Sequence, residues 1–342
     1  MPNIKEIAKE CNVSIATVSN ILNGKAGASE VTRRQVLDKA KELNYIPNIM
    51  AKNLKQKSTK TIGIITEDLT VFNTPEIVDG IHDYLDQCGY TFLLGNMRLY
   101  KKYGNDFYLS EDYHDEVEAE IRMMEAKQVE GIIYICAHSR VTHCIPKTCP
   151  LPIVVVYGFS DHNDIPCIVY NDEKAAYDAT NLLIQRGHTR IGLVAGMRQS
   201  IHCSERLLGY QRALYENQLL FNPKLLIYED WTREKGYEAA ELLFKENVTG
   251  IFAMNDEMAG GVYDYANEAS LTIGADIALV GFDNRPICTA FRPALTTMAL
   301  PLHEMGYSSA DRIVRRIERR EEYDEDMVYR IDCELKIRPS IG

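Results

Sequence analysis

The stretch SIATVSNILNG, residues 14–24, has a helical pattern and carries no charge. Val18, Ile21 and Leu22 fall at i, i+3 and i+4 and form an apolar stripe. The other side offers Ala16, Asn20 and Asn23, with Thr17 and Ser19 on its flanks. In a chain that is 25% charged, a small, polar and neutral helical face calls for a reason. Base edges in a duplex groove supply one: they reward amide, hydroxyl and close apolar contacts, and bulk or negative charge is excluded there. Asn20 is the residue best suited to read a base, most naturally adenine through its amide.

The elements around this face are those that would position it. Asn3 and Glu6 form a capping box for a helix IKEIAKE, with Ile4, Ile7, Ala8 and Cys11 on its inner side. Asn12 suits the left-handed turn that follows, Ser14 caps the second helix and Gly24 ends it. A third helix runs from near Ser29 through VTRRQVLDKAKELN, with Val31, Val36, Ala40 and Leu43 on one side. Pro47 stops it, and Asn48 caps one more short segment, IMAKNLKQK. Two short helices, a tight turn and a third helix make a helix-turn-helix unit. Charge agrees: residues 1–60 hold 11 Lys+Arg against five Asp+Glu, a net of +6, whereas the remaining 282 hold 27 against 44, a net of −17. A basic head on an acidic body fits one end that meets phosphate. Leu54 among lysines suits a minor groove, where an apolar wedge parts a base step.

Residues 3–57 resemble the DNA-binding head of the lactose-repressor (LacI/GalR) family of bacterial transcription regulators. The stretches that carry the resemblance are IKEIAKECNVSIATVSNILNG, VTRRQVLDKAKELNYIPN and AKNLKQKSTKTIGII. Asn12 stands where the family often has Gly. The resemblance implies that Ile15, Ala16, Thr17 and Asn20 lie in the major groove, with Thr17 and Ser19 near phosphate. It also implies a hinge helix whose Leu54 enters the minor groove, flanked by Ala51, Lys52 and Lys55.

From residue 61 the pattern changes to short apolar runs alternating with amphipathic helices: TIGIIT, TFLLGN, GIIYICA and PIVVVYG, then RIGLVAG, GIFAMND and IALVGFD. Such alternation means parallel sheets covered on both faces, and two rounds of it mean two lobes with a ligand cleft at the strand ends. RGHTRIGLVAG, ERLLGYQRAL, GIFAMNDEMAGGVY and PALTTMALPLHEMG resemble the same family's regulatory core, a two-lobed fold shared with periplasmic sugar-binding proteins. By similarity the chain crosses between lobes near 159–162, 290–296 and 320–327. Arg206 takes the family's arginine position before LLGY, and Trp231 the position of a pocket aromatic. Asp283, Asn255 with Asp256, Phe72 with Asn73, and Tyr157 with Phe159 follow apolar runs, where a cleft ligand would be held. An arginine and an aspartate on vicinal hydroxyls, with an indole face against a ring, is the chemistry of sugar binding.

The expected architecture is thus α + α/β: an N-terminal helix-turn-helix head (1–47), a hinge helix and linker (48–60), and a two-lobed periplasmic-binding-protein-like core with parallel sheets (61–342). Lobe 1 is expected over about 61–160 and 295–320, lobe 2 over about 161–292 and 325–342. Residues 98–114, RLYKKYGNDFYLSEDYH, read as a surface insertion, with contact to a partner or the ligand mouth as the alternative; GHTR (187–190) reads as a helix-to-strand turn and the acidic stretch 321–326 as a solvated crossing loop. Partners are a double-stranded DNA operator, a small-molecule effector and a second copy of the chain. The effector expected is a sugar, with a purine or nucleoside as the alternative. No cofactor is expected, and no metal: CAHSRVTHCIPKTC (136–149) has no common zinc spacing. The nine scattered cysteines fit reduced thiols, and no 18-residue apolar run or signal peptide is found, so a cytoplasmic location is expected. The C-terminus KIRPSIG adds no heptads, so a dimer is expected rather than a tetramer. A stand-alone sugar-binding protein would lack the basic head. An α/β enzyme would show a phosphate loop, a nucleophile elbow or a zinc-protease helix, and none occurs.

Overall fold

The chain is described from a computed structural model, which covers residues 3–22, 24, 27–45, 58–319 and 327–342. It divides into two compact units, Met1–Thr59 and Lys60–Gly342. In the first, α1 (Ile4–Glu10), α2 (Ile15–Leu22) and α3 (Glu30–Glu42) each start at a capping side chain. Asn3 accepts from the Lys5 and Glu6 amides while Glu6 reaches back, completing the capping box. Ser14 Oγ accepts from the Thr17 amide at 3.0 Å, and Ser29 Oγ from the Thr32 amide at 3.2 Å. Asn12 turns the chain with a positive φ of 52°. Ile7, Ala8, Cys11, Val18, Ile21, Val36 and Ala40 form the buried centre. Val31 does not join them; it is 78% exposed. Five positions before Val36, it lies about 140° around the helix from it, since each residue turns about 100°. Residues 48–57 of the expected hinge, with Ala51, Lys52, Leu54 and Lys55, lie outside the described residues.

The second unit begins with β1 (Thr61–Thr66), α4 (Thr74–Cys88), β2 (Thr91–Asn96), the short α5 (Leu99–Tyr103), α6 (His114–Ala126) and β3 (Gly131–Ile135). There follow β4 (Val141–Thr142), β5 (Ile153–Val156), β6 (Phe159–Ser160) and β7 (Cys167–Tyr170). Then come α7 (Asp172–Gln185), β8 (Ile191–Ala195), α8 (Ile201–Glu216), β9 (Leu226–Tyr228), α9 (Arg233–Lys245), β10 (Gly250–Ala253) and α10 (Asp256–Glu268). The unit closes with β11 (Ala278–Asp283), β12 (Thr296–Ala299), α11 (Leu302–Glu318), β13 (Val328–Ile331) and β14 (Glu334–Lys336). Two six-stranded sheets result, ordered β13-β7-β5-β3-β1-β2 and β14-β12-β11-β10-β8-β9. Every pairing in the first is parallel; in the second only β12 with β14 is antiparallel. The central strands β3, β5, β7, β8 and β10 are buried at every residue, which is why they read as unbroken apolar runs.

The sheets correct the expected lobe boundaries. β7 belongs to the first sheet, so the chain first crosses at Asn171, not near 159–162. β12 belongs to the second sheet, so the next crossing is at 300–301, not 290–296. β13 returns to the first sheet and β14 to the second, which puts the last crossing at Asp332 and Cys333, not 320–327. The turn-rich sequences FSDHND and NRPICTAFRPA look like crossings but are loops within one lobe. The short apolar runs behind each of them (CIVY, TTMA) are the last strand before the chain leaves.

Residues 98–114 are more than a surface insertion. Leu99, Phe107 and Tyr113 are buried, while Tyr103 and Leu109 stay exposed. The Met97 and Leu99 amides donate to the carbonyls of Thr66 and Glu67, which lays the segment over the end of β1. Beneath it the Glu67 carboxylate is fully buried and accepts from Tyr134 Oη (2.7 Å), the Ala137 amide (2.7 Å) and the Arg140 guanidinium. Arg140 also donates to Tyr113 Oη at 2.8 Å. His138 is packed against Tyr108, with ring centroids 4.2 Å apart, and its Nε2 lies 2.6 Å from Tyr100 Oη. Burial lowers the His138 pKa to about 4, against the pull of the nearby Glu67 carboxylate, with Arg140 and His202 adding to the fall.

Because the folded imidazole takes a proton less readily than the unfolded one, its contribution is whole above pH 6.5 and drains as pH falls towards 4. Chemical denaturation between pH 7 and 4 should therefore show a loss of up to about 3 kcal/mol from this group. His138→Gln should flatten the pH dependence by that amount; curves that run parallel would contradict the assignment.

Candidate functional site

On α2, Ile15, Ala16 and Asn20 are exposed, and Thr17 and Ser19 are half-buried, while Val18 and Ile21 hold the opposite side in the core. Thr17 Oγ1 lies 2.8 Å from Ser14 Oγ, so its hydroxyl also serves the cap. No acid sits in the first turn of α2. The partial positive charge of the helix N-terminus is thus unneutralised within the helix, as a surface that meets phosphate requires.

In the core, the ends of both sheets converge on Arg206. Its guanidinium, 2% exposed, donates from Nε to Asp172 Oδ1 (2.6 Å), from Nη1 to the Met254 carbonyl and from Nη2 to Tyr170 Oη (2.9 Å). It lies 3.6 Å over the Phe282 ring. The second oxygen of Asp172 lies 2.7 Å from His202 Nδ1, and Tyr170 stacks on the His202 ring at 12°. Burial alone would raise the Asp172 pKa, yet the facing His202 and Arg206 outweigh it and hold the carboxyl below its ordinary range. Asp283 is placed differently. Its nearest cation is Arg206 Nη2 at 3.9 Å, and among the described residues its side chain makes no hydrogen bond. Burial pushes its pKa well above the ordinary range, Arg206 opposes this, and the neighbouring Asp256 adds to it. Tyr157, Trp231 and Asp283 all hold positive φ (64°, 74° and 102°), a conformation that costs about 1–3 kcal/mol per residue and concentrates at functional sites.

Not every expected residue faces the cleft. Trp231 does: it lies 5.9 Å from the Arg206 guanidinium, and its indole fills the space a Cβ at Gly196 would take, 2.0 Å away. Tyr157 and Phe159 line a slit between the lobes together with Ser139, Val169, Tyr170, Asp172, His202 and Glu205. Phe72 stands at the rim, 5.2 Å from the Arg285 guanidinium of the other lobe. Asn255, in contrast, caps α10 through the Met258 amide (2.7 Å) and donates to the Trp231 carbonyl (2.9 Å), so it positions the indole. Asn73 is wholly buried and donates to the Cys136 carbonyl at 3.2 Å. Asp256 accepts from the Arg285 amide and Thr297 Oγ1, both at 2.7 Å, and so supports the turn that carries Asp283. Tyr170, Asp172, His202 and Glu205 were not expected. The signal was present in Pro166-CIVY-Asn171-Asp172, an apolar run ending at a helix cap, the mark of a strand end. A second rim contact closes the slit: Arg330 donates to both oxygens of Glu205, at 2.9 and 3.0 Å, from the opposite lobe.

Two family models match the chain. Residues 3–48 fit the bacterial regulatory proteins of the lacI family, and residues 180–341 the periplasmic binding protein-like domain. Catabolite control protein A of Priestia megaterium is 32% identical over 329 residues, 95% of each chain. The HTH-type transcriptional repressor PurR of Vibrio campbellii (strain ATCC BAA-1116) is 30% identical over 351 residues, 100% of this chain and 99% of its own. Among solved structures, the lac repressor dimer bound to operator and the anti-inducer ONPF shares the fold at a TM-score of 0.77, with 24% identity over 99% of both chains. The transcriptional regulator CelR in complex with cellobiose matches at 0.64, with 23% identity over 99% of this chain and 100% of that one. Capped helix-turn-helix head, two-lobed parallel core and full-length likeness agree: the chain belongs to the lacI family of bacterial regulatory proteins. It is a DNA-binding transcription regulator.

Proposed function

We propose that the protein is a cytoplasmic, homodimeric repressor, not an enzyme, whose operator affinity is set by a small ring-shaped effector held between the core lobes. A sugar is the first choice of effector. The observation that carries this reading is Asp283: a nearly buried carboxyl on strained backbone, without a hydrogen-bond donor of its own among the described residues, 3.9 Å from Arg206, whose guanidinium in turn lies 5.9 Å from the Trp231 ring. Paired hydroxyls would supply the donors it lacks, and the aromatic faces of Tyr157 and Trp231 would cover the ring. The likeness to a regulator in complex with cellobiose supports a sugar. The PurR repressors among the relatives favour a purine or nucleoside as the second reading.

Two heads on a two-fold axis would read a near-palindromic operator, each inserting the uncharged side of α2 into a major groove. The core would act on them through Lys60, where it begins. The Lys60 amide donates to Glu130 (2.9 Å), its ammonium pairs with Glu318 (3.2 Å), and the same ammonium lies 4.1 Å over the Tyr90 ring. Movement of lobe 1 is therefore passed to the chain that leads to the head. Driving such an equilibrium from 1:99 to 99:1 needs about 5.5 kcal/mol of differential binding, within reach of a few buried polar contacts.

Asn20→Ala should cost about 1–3 kcal/mol on a selected operator and leave binding to random duplex nearly unchanged, by fluorescence anisotropy. Equal losses on both duplexes would count against base reading by Asn20. Asp283→Ala should abolish the change in operator affinity produced by any sugar or purine found active in a thermal-shift screen. Operator affinity without that compound should stay within about twofold, since the carboxylate ties down no other part of the fold. A variant that still responds in full would remove Asp283 from the site.

A further inference from the structure

The positive charge at the centre of the cleft is already answered from within the protein. Arg206 is the cleft's only fully buried cation among the described residues, and three of its five N–H bonds already end on protein acceptors: Asp172, Met254 and Tyr170. Asp172 neutralises its charge at 2.6 Å and spends its other oxygen on His202. The cations at the rim are likewise engaged, Arg330 with Glu205 and Arg285 with Glu257 at 3.1 Å. What remains open at the centre is the Asp283 carboxyl, 3.9 Å from Arg206 and without a hydrogen bond among the described residues, beside a guanidinium whose charge Asp172 already answers. A ligand that brings hydroxyl or ammonium donors satisfies this arrangement. A phosphate or carboxylate finds a guanidinium already paired and a like charge beside it, in surroundings where water screens little.

We infer that Asp172 is a specificity-determining residue: by pairing with Arg206 it reserves the cleft for neutral or amine-bearing, donor-rich ligands and excludes phosphate esters and sugar acids. The inference deepens the effector-cleft reading above and rests on it. Arginine beside such a slit would by itself favour anions, as arginine does wherever bidentate recognition of phosphate or carboxylate is used. Asp172, the first residue of α7, is what turns that preference round, and Asp283 reinforces it from the other side.

The test uses the full chain and two isosteric variants, Asp172→Asn and Asp283→Asn, in thermal-shift assays and calorimetry. The probes are inorganic phosphate and the matched set D-glucose, D-glucosamine, D-glucuronate and glucose 6-phosphate, with chloride at equal ionic strength as the control. The wild-type protein should show no saturable response to phosphate, glucuronate or glucose 6-phosphate. Each variant should gain saturable phosphate binding, with affinity raised at least about tenfold. Asp283→Asn keeps the test open should Asp172→Asn fold poorly, because Asp283 makes no hydrogen bond that the fold needs. Saturable binding of any of the three anions by the wild-type chain would overturn the inference, and so would the absence of a gain in the folded variants. If the variants gain phosphate while no neutral sugar binds the wild type, the charge gate stands and the sugar reading falls.

Discussion

The pairing of Arg206 with Asp172 is the interaction on which the cleft depends. A guanidinium with 2% of its surface exposed is tolerable only when its charge is answered and its donors are used. Here one side chain meets the first residue after a lobe crossing, the end of β10 through Met254, the last residue of β7 through Tyr170, and the Phe282 face on β11. Three separate parts of the chain, around 170–172, 254 and 282, are therefore held in register by one cation. Sheet topology decides which parts these are. Parallel strands bring their carboxyl ends to a common edge, and three crossings return the chain to that edge, so residues far apart in sequence meet there.

Around this centre the structure accepts local cost. Tyr157, Trp231 and Asp283 keep left-handed backbone, Gly196 leaves room for the indole, and Asp283 is nearly buried without a donor among the described residues. The surroundings enforce each of these. Asn255 grips the Trp231 carbonyl, Asp256 braces the turn after Asp283, and the aromatic segment 98–114 stiffens lobe 1 above the Glu67–Arg140 pair. Cross-lobe contacts at the rim, Arg330 with Glu205 and Arg285 with Phe72, are weaker and solvent-facing, as suits contacts that must form and part.

Local features were the legible ones. Asn3, Ser14 and Ser29 act as caps because capping is settled within three or four residues, and Asn12 turns the chain for the same reason. The buried strands were visible as apolar runs, and the position of Arg206, Asp283, Trp231 and Tyr157 near the sheet ends followed from strand ends and family likeness. Partners distant in sequence were not legible. Nothing near Asn73 points to the Cys136 carbonyl, nor near Asn255 to the Trp231 carbonyl, the protein partners that both asparagines meet in the fold. Asp172 reads locally as an ordinary acid at a helix start; only the crossing at Asn171 places it beside Arg206. The crossings themselves were set too early because turn-rich loops mark ends of elements without marking changes of lobe.

A double-mutant cycle on this pair tests the account most directly. Asp172→Asn, Arg206→Gln and the combined variant would be compared with the wild-type chain by chemical denaturation. Each single change leaves a buried charge unanswered and should cost about 3–5 kcal/mol. The combined variant should lose less than the sum of the two by well over about 1 kcal/mol. Losses that simply add would show that the two side chains act independently, and the cleft would have to be organised by something other than their pairing.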